Sequence, residues 1–91
     1  MTIHMSSKKT VYIARVADGN SDSYTAAFSR ETAKQLAEIY KAHLTPGELN
    51  THTVSVEAYE IECAEGADAE NAYRDALLAD AVGDPVEYRV V

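Results

Sequence analysis

The feature that most constrains the fold is a stretch rich in β-branched and aromatic residues between Thr51 and Glu62, the longest strand candidate in the chain. Its apolar side chains alternate with polar ones, but the alternation changes phase between Ala58 and Tyr59. The apolar positions run Val54, Val56, Ala58 and then Tyr59, Ile61, Cys63. Successive side chains of a strand point to opposite faces, so this change of phase requires a β-bulge, a bend or burial of both faces. The sequence leaves these three alternatives open.

Shorter segments on either side complete an α+β pattern. The predicted elements are strands over Thr10–Ala17 and Tyr24–Phe28, a helix over Arg30–Leu44, the long strand over Thr51–Glu62, a helix from its cap Asp68 to Val82, and a strand over Val86–Val91. The turn formers of Asp18–Ser23 make the first two strands a hairpin, and Thr45–Gly47 ends the first helix. The order β-β-α-β-α-β predicts a mixed or antiparallel four-stranded sheet with both helices packed on one face.

The length and composition indicate one globular domain. A chain of 91 residues has room for a single core, and we expect a flexible N-terminus over residues 1–9 and one domain over residues 10–91. We find neither a signal-peptide pattern nor a membrane-spanning stretch in the sequence, so we expect a cytoplasmic protein without membrane contact. With Cys63 as its one cysteine, the chain cannot form an internal disulfide.

The charge is unevenly distributed along the chain. Residues 1–46 have six basic and four acidic residues, a net charge of +2, whereas residues 47–91 have two basic and eleven acidic residues, a net charge of −9. This excess disfavours direct binding to nucleic acid and predicts a basic protein, or a complex with a basic surface, as the partner. The predicted partner-binding residues are Glu57, Glu60, Glu62, Glu65, Asp68, Glu70 and Asp75. The alternative is that the acidic half serves only to keep the protein soluble.

No motif in the sequence indicates catalysis or metal binding. Asp18, Asn20 and Asp22 begin like a calcium loop, but Ser23 and Ser29 stand where an EF-hand needs a glycine and an acid. The three histidines and the cysteine match no zinc spacing. We therefore predict a non-enzymatic protein with no catalytic residue, no metal site and no cofactor.

Several runs resemble small uncharacterised domains of phages and bacteria. These runs are VYIARV, YTAAFS, the helix RETAKQLAEIYKAHL and the strand VSVEAYEIE, which together cover residues 10–62. The resemblance implies the layout given above. In composition the chain is similar to acidic DNA-mimic and anti-CRISPR inhibitors, which implies a binding protein encoded by a phage or mobile element. Such a protein would inhibit a host complex by engaging its nucleic-acid-binding surface.

A second hypothesis is a structural or interaction subunit that forms a homodimer through its sheet. Its inner helix stripes are rich in alanine, so the core is small and an uncovered sheet face or edge strand is available for association. The cellular role of such a subunit is left open by the sequence.

Overall fold

The computed structural model describes residues 6–91 and builds them around two long central strands. The elements in chain order are β1 (Ser6–Ala17), β2 (Asp22–Ala27), α1 (Arg30–His43), α2 (Pro46–Thr51), β3 (Thr53–Ala64), α3 (Ala69–Leu78) and β4 (Glu87–Val90). The strands form one antiparallel sheet in the order β2-β1-β3-β4. The predicted α+β class and the antiparallel form of the sheet are confirmed.

The phase change in β3 is explained by burial of both faces of the sheet. β1 and β3 pair in continuous register over twelve residues each, from Ser6 opposite Ala64 to Ala17 opposite Thr53, so no extra residue interrupts this ladder. Every residue from 54 to 59 is buried. Of the three alternatives, a strand covered on both sides is therefore the one that the chain adopts.

The two long helices lie on opposite faces of the sheet, and the prediction that both pack on one face is wrong. One core cluster joins α1 to one face and consists of Ala14, Ala33, Ala37, Val54 and Val56. The other joins α3 to the opposite face and consists of Val11, Ile13, Tyr59, Ile61, Cys63, Ala69, Ala72, Tyr73 and Ala76. The reason is the phase change itself, because the two apolar halves of β3 point in opposite directions and each needs its own helix.

The sheet begins earlier in the chain than predicted. Residues Ser6–Lys9 belong to β1 and pair with Ile61–Ala64 of β3. Residues 6–9 of the segment predicted to be flexible are therefore part of the sheet, and residues 1–5 lie outside the described part of the chain. The bounds of β2, β3, β4 and α1 differ from the predicted ones by at most two residues.

The short helix α2 was not predicted, since Thr45–Gly47 was interpreted only as the end of α1. Thr45 caps α2: its Oγ1 accepts a hydrogen bond from the Glu48 backbone N–H at 3.2 Å. In return, the Glu48 carboxylate accepts from the Thr45 backbone N–H at 3.0 Å. This capping box, with Pro46 at the first helical position, starts a new helix immediately after α1.

α3 ends four residues earlier than the predicted Val82. The Ala81 N–H donates to the Ala76 carbonyl at 2.8 Å and the Asp80 N–H donates to the Leu77 carbonyl at 3.1 Å. This pair of bonds is a Schellman motif, which closes a helix when the residue after the cap adopts a left-handed conformation. Asp80 is that residue, with φ of +53°.

Candidate functional site

The net negative charge of the chain is concentrated in one continuous stretch, which we call the acidic segment (residues 60–84). It has eight carboxylates and one basic residue, Arg74, and therefore a net charge of −7, equal to that of the whole chain. Its carboxylates are Glu60, Glu62, Glu65, Asp68, Glu70, Asp75, Asp80 and Asp84. The rest of the chain has seven acidic and seven basic residues and is neutral. The acidic segment comprises the end of β3, the following turn, α3 and the loop after it.

The acidic segment extends along the sheet instead of forming one face of it. Glu60 and Glu62 are exposed and lie on the α1 side of the sheet, where they pair in register with Thr10 and Lys8. Glu65 lies in the turn after β3. The acidic residues of α3 lie on the other side of the sheet, since α3 packs against the opposite face. The structure therefore distributes the predicted residues over both sides of the sheet and along its length, because α3 runs from the end of β3 back to Arg15, which lies opposite Ser55.

The carboxylates of the acidic segment are not neutralised by contact with basic side chains. Within residues 6–91 none of the eight forms a salt bridge. The arginines that do form salt bridges pair with acidic residues outside the segment; the pairs are Arg15 with Asp22 and Glu57, Arg30 with Glu87, and Arg89 with Glu87. Asp68 instead caps α3, as predicted, and accepts from the Asn71 backbone N–H at 2.8 Å.

Glu57 does not belong to this exposed surface. It is 8% exposed, and its Oε1 accepts hydrogen bonds from Arg15 Nε at 3.2 Å and from the Tyr59 hydroxyl at 2.7 Å. It lies on the α3 side of the sheet, because it is an odd-numbered position of β3 like Tyr59. The expectation that Glu57 contacts a partner is therefore wrong, and its charge is used inside the fold.

Arg15 is the centre of a polar network under α3, and this network was not predicted from the sequence. Its Nη2 donates to the Tyr73 hydroxyl at 2.8 Å, its Nη1 donates to Asp22, and its guanidinium lies 5.6 Å from the centre of the Tyr24 ring. Together with the bond to Glu57, these contacts connect α3 to three strands. The signal in the sequence was a pair of opposite charges, Arg15 and Glu57, at positions that share a face of the central pair of strands.

Burial and hydrogen bonding shift the pKa of two members of this network. Burial alone would lower the pKa of the Arg15 guanidinium, but the charge of Glu57 and the hydroxyl of Tyr73 outweigh it, and the pKa is raised. The pKa of the Tyr59 hydroxyl is also raised, first by burial and then by its bond to Glu57. Arg15 therefore stays a cation and Tyr59 a neutral donor at every pH at which proteins are handled.

The remaining candidate ligands and nucleophiles do not form a cluster, although His52 Nε2 lies 3.7 Å from Asp18 Oδ2. The Asp18 carboxylate accepts from the backbone N–H groups of Asn20 (2.9 Å) and Ser21 (2.8 Å) and so closes its own turn. Cys63 is buried, and burial raises the pKa of its thiol. Residues 6–91 contain no group of three or more His, Cys, Asp or Glu side chains arranged to hold a metal ion.

In the described part of the chain, no helix is both long enough and apolar enough to cross a membrane. Comparison with known proteins gave no match to a family model, to a curated protein or to a solved structure.

Proposed function

We propose that the protein is a non-enzymatic binding domain that uses its acidic segment to engage a basic surface of another protein. The observation that supports this proposal is that the whole net charge of −7 lies within residues 60–84 and that these carboxylates form no salt bridges among the described residues. If the charge served only for solubility, it would have no reason to be confined to one continuous segment while the rest of the chain is neutral.

The arrangement of the charges favours a surface that normally holds nucleic acid. Glu62, Glu65 and Glu70 project from a strand, a turn and a helix around the same end of the sheet, so the negative charge covers a curved surface. A groove that binds a nucleic-acid backbone has several Lys and Arg side chains and meets such a curved array of negative charge with complementary potential. We infer that the partner is such a basic host protein or complex and that binding inhibits it, as a DNA mimic does.

The proposal is tested with two variants of equal charge change. In the test variant, Glu62→Lys and Glu70→Lys reverse two exposed carboxylates of the acidic segment that make no side-chain hydrogen bond among the described residues. In the control, Glu31→Lys and Glu38→Lys reverse two exposed carboxylates of α1 outside the segment. Each immobilised protein is incubated with a nuclease-treated bacterial lysate, and the captured proteins are identified by mass spectrometry.

We expect the wild type and the α1 control to retain the same basic proteins, and the test variant to lose them. Added duplex DNA should displace the partner, and raising the salt from about 50 mM to about 500 mM should release it, because screening shortens the range of the interaction. Equal capture by the test variant and the wild type would exclude the acidic segment as the binding surface. A partner that resists salt but not denaturant would exclude an electrostatic complex.

A further inference from the structure

The outer edge of the sheet at β4 exposes large apolar side chains. Val86, Tyr88 and Val90 are 59%, 54% and 63% exposed, and Tyr88 lies opposite Glu57 on the α3 side. On the α1 side the same strand carries Glu87 and Arg89. β4 is an end strand of the sheet, so one of its edges has no neighbouring strand within the described residues.

The backbone of Tyr88 points toward this free edge. The N–H of Val91 donates to the carbonyl of Val54 on β3 at 2.8 Å. In an antiparallel ladder alternate residues turn their N–H and C=O groups toward the same neighbour, so Arg89 and Glu87 also face β3 while Tyr88 and Val90 face away. Val86 departs from this alternation, because its N–H donates to the Ala58 carbonyl of β3 at 2.8 Å. The edge thus offers an unused donor and acceptor at Tyr88, with large exposed side chains around them.

The sequence of this edge is complementary to itself when it is read in the opposite direction. Residues 86 to 90 read Val-Glu-Tyr-Arg-Val, so inverting the segment about Tyr88 places valine opposite valine and glutamate opposite arginine. We propose that β4 pairs antiparallel with β4 of a second copy of this chain, with Tyr88 on the two-fold axis. The two sheets then join into a continuous eight-stranded sheet centred on the two β4 strands.

Three kinds of contact stabilise this register. The two Tyr88 residues exchange both of their backbone hydrogen bonds, and their rings pack beside Val90 of the other copy on the α3 side. On the α1 side Glu87 of each copy lies opposite Arg89 of the other. The groove beside this strand is lined by three basic side chains (Arg30, Lys34 and Arg89) and three acidic ones (Glu31, Glu38 and Glu87), so a second copy meets no net repulsion there.

The other free edge does not fit a second copy in this way. β2 reads Asp-Ser-Tyr-Thr-Ala-Ala, and inverting it places Asp22 opposite an alanine and Tyr24 opposite a threonine, so it is not complementary to itself. The β4 contact is short, so the interface is smaller than that of a permanent dimer and the complex dissociates on dilution. It also lies outside the acidic segment, so the dimer is independent of the function proposed above.

The first test is the oligomeric state measured by sedimentation velocity between about 1 and about 500 μM. We expect the wild type to shift from monomer to dimer over this range. Tyr88→Lys, which sets two like charges face to face, should remain monomeric, whereas Leu78→Lys should dimerise as the wild type does, since Leu78 is 82% exposed on α3. A wild type that stays monomeric throughout, or a Tyr88→Lys variant that still dimerises, overturns the proposal.

The second test determines the register by oxidative cross-linking. Directly opposed residues of a hydrogen-bonded pair have Cα atoms about 5.5 Å apart, which suits a disulfide. Tyr88→Cys should therefore give a covalent dimer, and a mixture of Glu87→Cys with Arg89→Cys should cross-link faster than either variant alone. The native Cys63 is buried and contributes little background. Equal rates for all of these combinations would mean that β4 does not pair in this register.

Discussion

Replacing Arg15 by leucine tests how the fold uses its buried charges. The substitution removes the cation that contacts Glu57 and breaks the bond from α3 through Tyr73. The side chains of Arg15 and Glu57 are 17% and 10% exposed, so most of the penalty for an unpaired buried charge applies, and that penalty is about 3–5 kcal/mol. The contact with Asp22 adds at most about 1 kcal/mol because that carboxylate is half-exposed.

We expect Arg15→Leu to lower the free energy of unfolding by about 3 kcal/mol, the lower end of this range, because neither side chain is fully buried. For a domain of this size such a loss corresponds to a fall in Tm of about 12–24 °C. Urea unfolding followed by circular dichroism measures it, provided that the slope m is unchanged. Asp22→Asn is the matched control for the exposed pair and should cost less than about 1 kcal/mol.

A double-mutant cycle separates the charge pair from simple loss of packing. Glu57→Leu combined with Arg15→Leu leaves no unpaired buried charge, so the double variant should be more stable than Arg15→Leu alone. If Arg15→Leu changes the free energy of unfolding by less than about 1 kcal/mol, or if the double variant costs the sum of the single ones, the network does not stabilise the contact between α3 and the sheet.

Two smaller predictions concern single carboxylates in turns. Asp80 has φ of +53°, which glycine adopts without strain, so Asp80→Gly should raise the free energy of unfolding by about 0.5–1 kcal/mol. Asp80→Asn removes the same charge, and a glycine variant no more stable than the asparagine variant would contradict the backbone explanation. The pKa of Asp18 is lowered by hydrogen bonds from the backbone of Ser21 and Asn20. The stability that ionised Asp18 contributes is therefore complete above pH 3.8, its ordinary pKa, and is lost as the pH falls through the lower pKa of the folded state. The Tm difference between the wild type and Asp18→Ala should therefore shrink at acid pH, and a constant difference would contradict this assignment.

Local patterns in the sequence predicted most elements, because their causes lie within a few residues. Asp68 caps α3 as predicted and Ser29 caps α1 in the same way, and each accepts from a backbone N–H three residues later. α2 was missed although Thr45 and Glu48 form a capping box that the sequence displays. Pro46 and Gly47 are typical of the end of a helix, but a proline at the first helical position is equally typical of the start of one.

The face of the sheet on which each helix packs could not be predicted from local patterns. The phase change between Ala58 and Tyr59 was visible in the sequence, but its consequence for the helices depends on which half of β3 each helix covers, and that is set by tertiary packing. Glu57 shows the same limit. Its exposure could not be predicted from its neighbours, because its partner Arg15 is 42 residues away in the chain.

The direction of the strands has a mechanical consequence for the chain. β1 and β4 run the same way, both antiparallel to β3, and Ser6 and Val90 lie at opposite ends of β3, next to Ala64 and Ser55. Tension between the two ends of the described chain therefore pulls β1 and β4 apart along the strand axis. The load passes in shear through both the β1–β3 ladder of twelve residue pairs and the β3–β4 ladder of four, so the shorter β3–β4 ladder yields first. Once β4 and α3 have been drawn out of the fold, the tension acts on Ala64, which lies beside Ser6, and the central ladder then opens one pair at a time from that end.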